Sequence, residues 1–284
     1  MSTLRTIVIT GASDGIGAVA ARKLAGSSVE LVVVGRSAEK LAAVASDTGA
    51  MALTADFARL DDVRILAEHI RERVGVIDVL MNNAGGTFAP ELRTVDGHEP
   101  NFQINHLAPF LLTNLLHDRL AAASGALVLN TSSIANLFGR VDVDDLDFRR
   151  RRALQMRAYG ASKRMNIMFT RAIAHRWSAD GIVSAAVHPG PVATSFGRDS
   201  RAVGLLYRTP LRHLASITPD QGAAPLIELA LRGADPAING VYFSRHRANG
   251  RESKQAHDRK VVDQLWSASA ALAGLSESAE HHEG

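Results

Sequence analysis

The sequence predicts an α/β fold: one doubly wound parallel sheet, helices on both faces, in a single domain. Three observations predict it. Short β-branched apolar runs alternate with helical patterns from the first residues to the last. A glycine-rich run, Thr10 to Gly17 (TGASDGIG), sits between the first strand and the first helix. The 284 residues suit one large domain.

RTIVIT reads as a buried strand and Gly15 to Ala25 as a helix. Val29 to Gly35 is a second strand, Ser37 to Thr48 a helix, and AMALTA a third strand. Leu60 to Arg73 repeats its apolar residues at helical spacing. VIDVLMNNAG is the fourth strand and its exit. His98 to Ala123 reads as one long helix, and GALVLNTSS as strand five. Arg157 to Ser178 is a helix, GIVSAAVHPG strand six, and Pro219 to Arg232 a helix. GVYF is a last short strand and Gln255 to Leu272 a terminal helix. Residues 1–275 form the expected domain, with a frayed polar tail at 276–284.

The glycine run carries the first chemistry and makes the fold Rossmann-type. Gly11, Gly15 and Gly17 permit a tight turn and close backbone approach, and the helix start offers unpaired N–H groups to a pyrophosphate. At the end of strand two, Arg36 stands where an acidic residue would accept ribose hydroxyls. Its guanidinium instead suits a 2′-phosphate, so NADP(H) is expected over NAD(H). Asp14 is a mild counterweight. Asp56 can accept from an adenine amine, with the Phe57 amide beside it. The small residues of Asn82 to Gly85 (NNAG) let adenosine approach, and an asparagine there can tie strands together.

Tyr159 and Lys163 are four residues apart and share a helix face. A phenol titrates near ~10, and a neighbouring ammonium is expected to lower that value toward useful proton transfer. Pro109 stands four residues after Asn105 and has no N–H for the Asn105 carbonyl. A helix distortion is therefore expected there. His106 and His188 are expected to be structural, His188 by satisfying backbone groups in a tight turn.

Composition excludes several classes. There is no cysteine, so no disulfide and no thiolate nucleophile. No pair of histidines has ligand spacing, and no metal is expected. Net charge is +3. The block Arg149 to Arg152 reads as a solvated loop beside acidic Asp142, Asp144, Asp145 and Asp147, so no nucleic-acid partner is expected. No apolar run reaches membrane-span length, the chain opens directly on a strand, and a cytoplasmic location is expected. Residues 195–217 mix leucines with arginines and form the expected substrate lid.

Thr10 to Gly17, Asn82 to Gly85, Asn105, Ser132-Ser133, Tyr159 to Lys163 and Pro189-Gly190 together resemble the short-chain dehydrogenase/reductase family, with most of the chain (about Leu4 to Phe243) covered. FQINHLAPFLLTNLL, the insert DVDDLDF and RAYGASK are similar to its retinol-dehydrogenase-like branch. The resemblance implies an oxidoreductase of a small lipophilic alcohol and its ketone or aldehyde. Tyr159 would be the acid/base, and Lys163 would hold the nicotinamide ribose. Ser133 would bind the substrate oxygen, and Asn105 would anchor a water in the proton relay. The full cofactor set expected is Gly11, Ser13, Asp14, Gly15, Ile16, Gly17, Arg36, Asp56, Phe57, Asn83, Ala84, Gly85, Tyr159, Lys163, Pro189, Gly190, Val192 and Thr194. A C=C reductase and a non-enzymatic NADP(H) sensor are the alternatives. A homodimer through the fourth and fifth helices is possible, with Leu111, Leu112, Leu115 and Leu116 serving either that contact or the core.

Overall fold

The computed structural model describes residues 4–89, 91–150, 154–191 and 217–275. The strands are β1 (Arg5–Thr10), β2 (Val29–Gly35), β3 (Met51–Thr54), β4 (Val79–Asn82), β5 (Ala126–Thr131), β6 (Ile182–His188), β7 (Val241–Ser244) and β8 (Arg247–Ala248). They form one sheet in the order β3-β2-β1-β4-β5-β6-β7-β8. All pairings are parallel except β7 with the two-residue β8, a strand the sequence did not announce. The order reverses between β1 and β4. That switch point opens a crevice at the carboxyl ends of the strands.

Successive residues of a strand point to opposite faces. In β1, Val8 joins the core on one face, while Ile7 and Ile9 join the core on the other. Both faces are therefore apolar, as a parallel sheet with helices on both sides requires. The first core packs beneath α3 (Leu60–Arg73), α5 (Ala108–Leu115), α7 (Gln155–Arg176) and α9 (Arg259–Leu272). The second packs beneath α1 (Gly15–Leu24), α2 (Ala38–Thr48) and α8 (Pro219–Arg232).

The stretch from His98 to Ala123 departs from the single helix expected. It comprises α4 (Pro100–Phe102), a π-helical turn (Gln103–Leu107), α5 and α6 (His117–Ala121), with a break at Leu116. Pro109 accounts for the distortion. Its nitrogen has no hydrogen to donate, and the preceding Ala108 N–H donates to Gln103 O, one residue further back than in an α-helix. Leu111, Leu112 and Leu116 are completely buried within the single chain and the partly buried Leu115 packs against the same core, so these leucines serve the core.

The acidic stretch is also structural. Asp145 Oδ1 accepts from the Arg149 and Arg150 amides, and Asp147 pairs with His98 Nδ1 at 2.8 Å. Both carboxylates are buried, which a solvated face would not require.

His106 is enclosed by Phe102, Phe110 and Phe169, with Nε2 3.0 Å from Ser269 Oγ. Burial drives its pKa down to about 3. An unfolded chain takes up this proton as pH falls through 6.5, and the folded chain does not until about pH 3. Stability is therefore full above 6.5 and is lost below it, by at most about 1.4 kcal/mol per pH unit. Urea denaturation between pH 7 and 4.5 should show this slope, to which His188, lowered to about 4, adds, and His106→Gln should reduce it.

Candidate active site

The turn after β1 is built by sterics. Gly11 has φ +67°, and a Cβ there would lie 2.8 Å from Ala84 Cα. A Cβ on Gly17 would strike the Gly11 carbonyl. These two glycines thus let the turn lie on the exit of β4 and let α1 lie on the turn. Gly17 does not line the cleft: helix packing uses its missing side chain. The Thr10 hydroxyl locks the junction, donating to Met81 O and accepting from the Asn83 and Ala84 amides. Asn83 Nδ2 returns a bond to Thr10 O at 3.0 Å. Asn82 faces inward and ties Thr113 to Asn130.

A cavity of about 620 Å³ runs along this switch point, within the range of small-molecule and cofactor sites. At one end lie Ser13, Asp14, Gly15, Ile16 and Arg36, with Asp56 and Phe57 beyond them. Asp14 caps α1 through the Gly15 amide and pairs with Lys40 Nζ at 2.6 Å. Lys40 sits in the first turn of α2, four residues after Arg36. Its sequence position alone did not show that it meets Asp14. Asp56 Oδ1 accepts from the Ala58 amide at 3.0 Å. Asn83, Ala84 and Gly85 form the middle of the cleft floor.

At the other end stand Ser133, Tyr159, Lys163, Pro189 and Gly190. Ser132 and Ser133 divide their work. Ser132 is buried and donates to Lys163 O at 2.7 Å, anchoring α7. Ser133 faces the cleft and hydrogen-bonds Tyr159. Lys163 Nζ donates to Thr131 O at 3.2 Å and lies 5.7 Å from the centre of the Tyr159 ring. His188 Nδ1 accepts from the Gly190 amide, and burial lowers its pKa to about 4, so it is a neutral turn residue.

The expected acidic phenol is not what the structure shows. Burial pushes Tyr159 up to about 12, against the opposing pull of its Ser133 hydrogen bond, and pushes Lys163 down to about 7. Desolvation disfavours the charge on each. A lysine that is half neutral at pH 7 lowers a phenol far less than a full ammonium would.

Asn105 lies behind the cleft wall and does not line it. Its side chain is fully engaged by Gly86 and Ser162. Val192, Thr194 and most of the expected lid, 195–216, lie outside the described residues. The apolar wall was missed: Thr87, Phe88, Ile104, Ile134, Phe138 and Met156 complete the cleft. Phe138 is 62% exposed and Met156 48%, and both line the cleft.

Among the described residues no group of three or more His, Cys, Asp or Glu is placed to hold a metal, and no helix is long and apolar enough to cross a membrane.

A glycine turn at a sheet switch point, with a Tyr–Ser–Lys cluster beside it, defines a dinucleotide-dependent oxidoreductase site. The chain belongs to the short chain dehydrogenase family, whose pattern it matches over residues 5–203. It is an enzyme acting on CH–OH or C=O groups. It is 40% identical to a Streptomyces protein named as the daunorubicin C-13 ketoreductase DnrU, over 95% of this chain and 93% of that one. It is 34% identical to human retinol dehydrogenase 13, over 95% of this chain and 85% of that one. A crystal structure from Mycobacterium paratuberculosis superposes with TM-score 0.78 at 31% identity, covering 96% and 95%.

Helix α7 touches the loop after Ser133 backbone to backbone. A Cβ on Gly160 would collide with Ala135 O, and one on Gly139 with Ala161 N. Gly160→Ala should therefore cost on the order of 1–3 kcal/mol by overpacking. Thermal melting should show that loss, and turnover should fall more than cofactor affinity does.

Proposed function

We propose that this enzyme uses NADP(H) to interconvert a lipophilic alcohol and its ketone or aldehyde, with Tyr159 as the acid/base. One observation carries the reading: the half-buried Tyr159, bonded to Ser133 and close to Lys163, opens onto the same cavity as the glycine turn.

The residues present fit a dinucleotide. The turn after β1 is bare of side chains at Gly11 and Gly15, and the first residues of α1, Gly15 and Ile16, line the cavity, where a helix start favours a pyrophosphate. Arg36 and Lys40 favour the 2′-phosphate of NADP(H). Lys40 also neutralises Asp14, a nearby carboxylate that would repel that group. Gly85 allows close approach beside Lys163, since a Cβ there would lie 3.3 Å from Nζ. When bound, the nicotinamide supplies or accepts the hydride.

This chain's own groups manage the oxygen. Ser133 and Tyr159 bring two hydroxyl donors together at the cavity wall, where they would stabilise the negative charge that develops on the substrate oxygen. Tyr159, held at about 12, stays protonated and can deliver its proton to that oxygen. Lys163 holds the charge balance behind it. The backbone carbonyl of Asn105, within the π-helical turn, is the anchor for the water that refills the relay. The apolar walls Phe88, Ile134, Phe138 and Met156 suit a lipophilic substrate, in keeping with the ketone and retinol in the relatives' names.

Tyr159→Phe should cut turnover at least about 10²-fold and leave NADPH binding nearly unchanged. In the wild type, kcat/KM for ketone reduction should fall as pH rises through about 7, where Lys163 loses its proton, while alcohol oxidation rises toward alkaline pH. Retained turnover in the phenylalanine variant removes Tyr159 from the mechanism. Arg36→Asp should reverse the preference for NADPH over NADH, read as the ratio of the two Kd values. A wild type that binds NADH more tightly refutes the cofactor reading.

A further inference from the structure

Two asparagines four residues apart, Asn101 and Asn105, hold alternate residues of the segment that leaves β4. Asn105 Oδ1 accepts from Gly86 N at 2.8 Å and its Nδ2 donates to Gly86 O at 2.9 Å. Asn101 does the same for Phe88, with Oδ1 to N and Nδ2 to O both at 3.0 Å. Each amide thus exchanges two bonds with one residue, as paired residues of adjacent strands do. Four residues of helix rise ~6 Å, close to the ~6.6 Å of two extended residues, so the spacings match. The second amide hydrogens are also used: Asn105 donates to Ser162 Oγ at 3.0 Å and Asn101 to Glu99 Oε1 at 2.6 Å. Glu99 is itself buried. It caps the Phe102 amide, and its own N–H donates to Asp147.

The side chain held by the Asn101 rung faces the cavity. The Phe88 ring lines the cleft and folds over Gly86, where a Cβ would lie 2.7 Å from its Cζ. We propose that Asn101 is a positioning residue that fixes the Phe88 ring as a wall of the substrate cleft and so sets which carbonyl compounds fit. Asn101 touches no substrate and acts through Phe88. The inference rests on the oxidoreductase reading above, and it assigns a selectivity role to a residue outside the Ser133–Tyr159–Lys163 cluster.

The test measures kcat/KM with NADPH for a flat bulky ketone, 2-acetylnaphthalene, and a small one, butanone. Asn101→Leu keeps the size but leaves the Phe88 N–H and C=O without partners. It should change the bulky-to-small ratio by about tenfold or more, the worth of a lost positioning contact, with the Kd for NADPH unchanged. Phe88→Ala, which can be made even if Asn101→Leu does not fold, should shift the ratio by itself. Asn101→Leu added to Phe88→Ala should shift it no further. A ratio unmoved by Phe88→Ala, or moved independently by Asn101→Leu, overturns the proposal. Amide hydrogen exchange supplies a readout free of catalysis: Asn101→Leu should speed exchange at Phe88 and spare Gly86. Equal protection at Phe88 in both proteins also overturns it. A wild type inert toward every carbonyl would instead refute the oxidoreductase reading, and the exchange result would then decide the Asn101 ladder alone.

Discussion

The contact between the exits of β1 and β4 is the constraint on which the site rests. Gly11 and Ala84 approach so closely that no Cβ fits between them, and the Thr10 hydroxyl satisfies three backbone groups at the same point. A buried junction with this many polar groups tolerates one arrangement, because each unpaired group costs about 1–3 kcal/mol. The cleft floor follows from it. Asn83 is pinned to β1, Gly85 is brought beside Lys163, and the segment from Gly86 runs to where the asparagines can reach it.

A second constraint comes from Pro109. A continuous α-helix over His98 to Ala123 would have kept every carbonyl in its own ladder. The π-helical turn disturbs that ladder beside Asn105, while the asparagine side chain is spent on Gly86.

Much of this was legible in the sequence, for physical reasons that differ by element. The strands were legible because burial on both faces demands uninterrupted β-branched runs, as in Val29–Gly35. Leu60–Arg73 and Pro219–Arg232 were legible to the residue because acidic starts, proline at the first position and glycine after the last are local signals. Tyr159, Lys163 and Ser133 were legible because their chemistry concentrates in few residue types. Other features depended on distance in space. Nothing local marks the Leu116 break, the Lys40–Asp14 pair or the bond from Asn101 to a backbone thirteen residues earlier. The titration of the tyrosine was misjudged for the same reason: spacing shows that a lysine is near, and only burial shows that both groups are pushed toward their neutral forms.

The short strand β8 has a consequence of another kind. An open sheet exposes unpaired amides at its rim, and these can recruit a strand from a second molecule. Here β7 is covered by two exposed residues, Arg247 and Ala248, flanked by Arg245 and Asn249 in left-handed conformations. That charged, sharply curled hem leaves too little straight backbone for another chain to zip onto, so this rim is protected against aggregation at the same place where the fold ends.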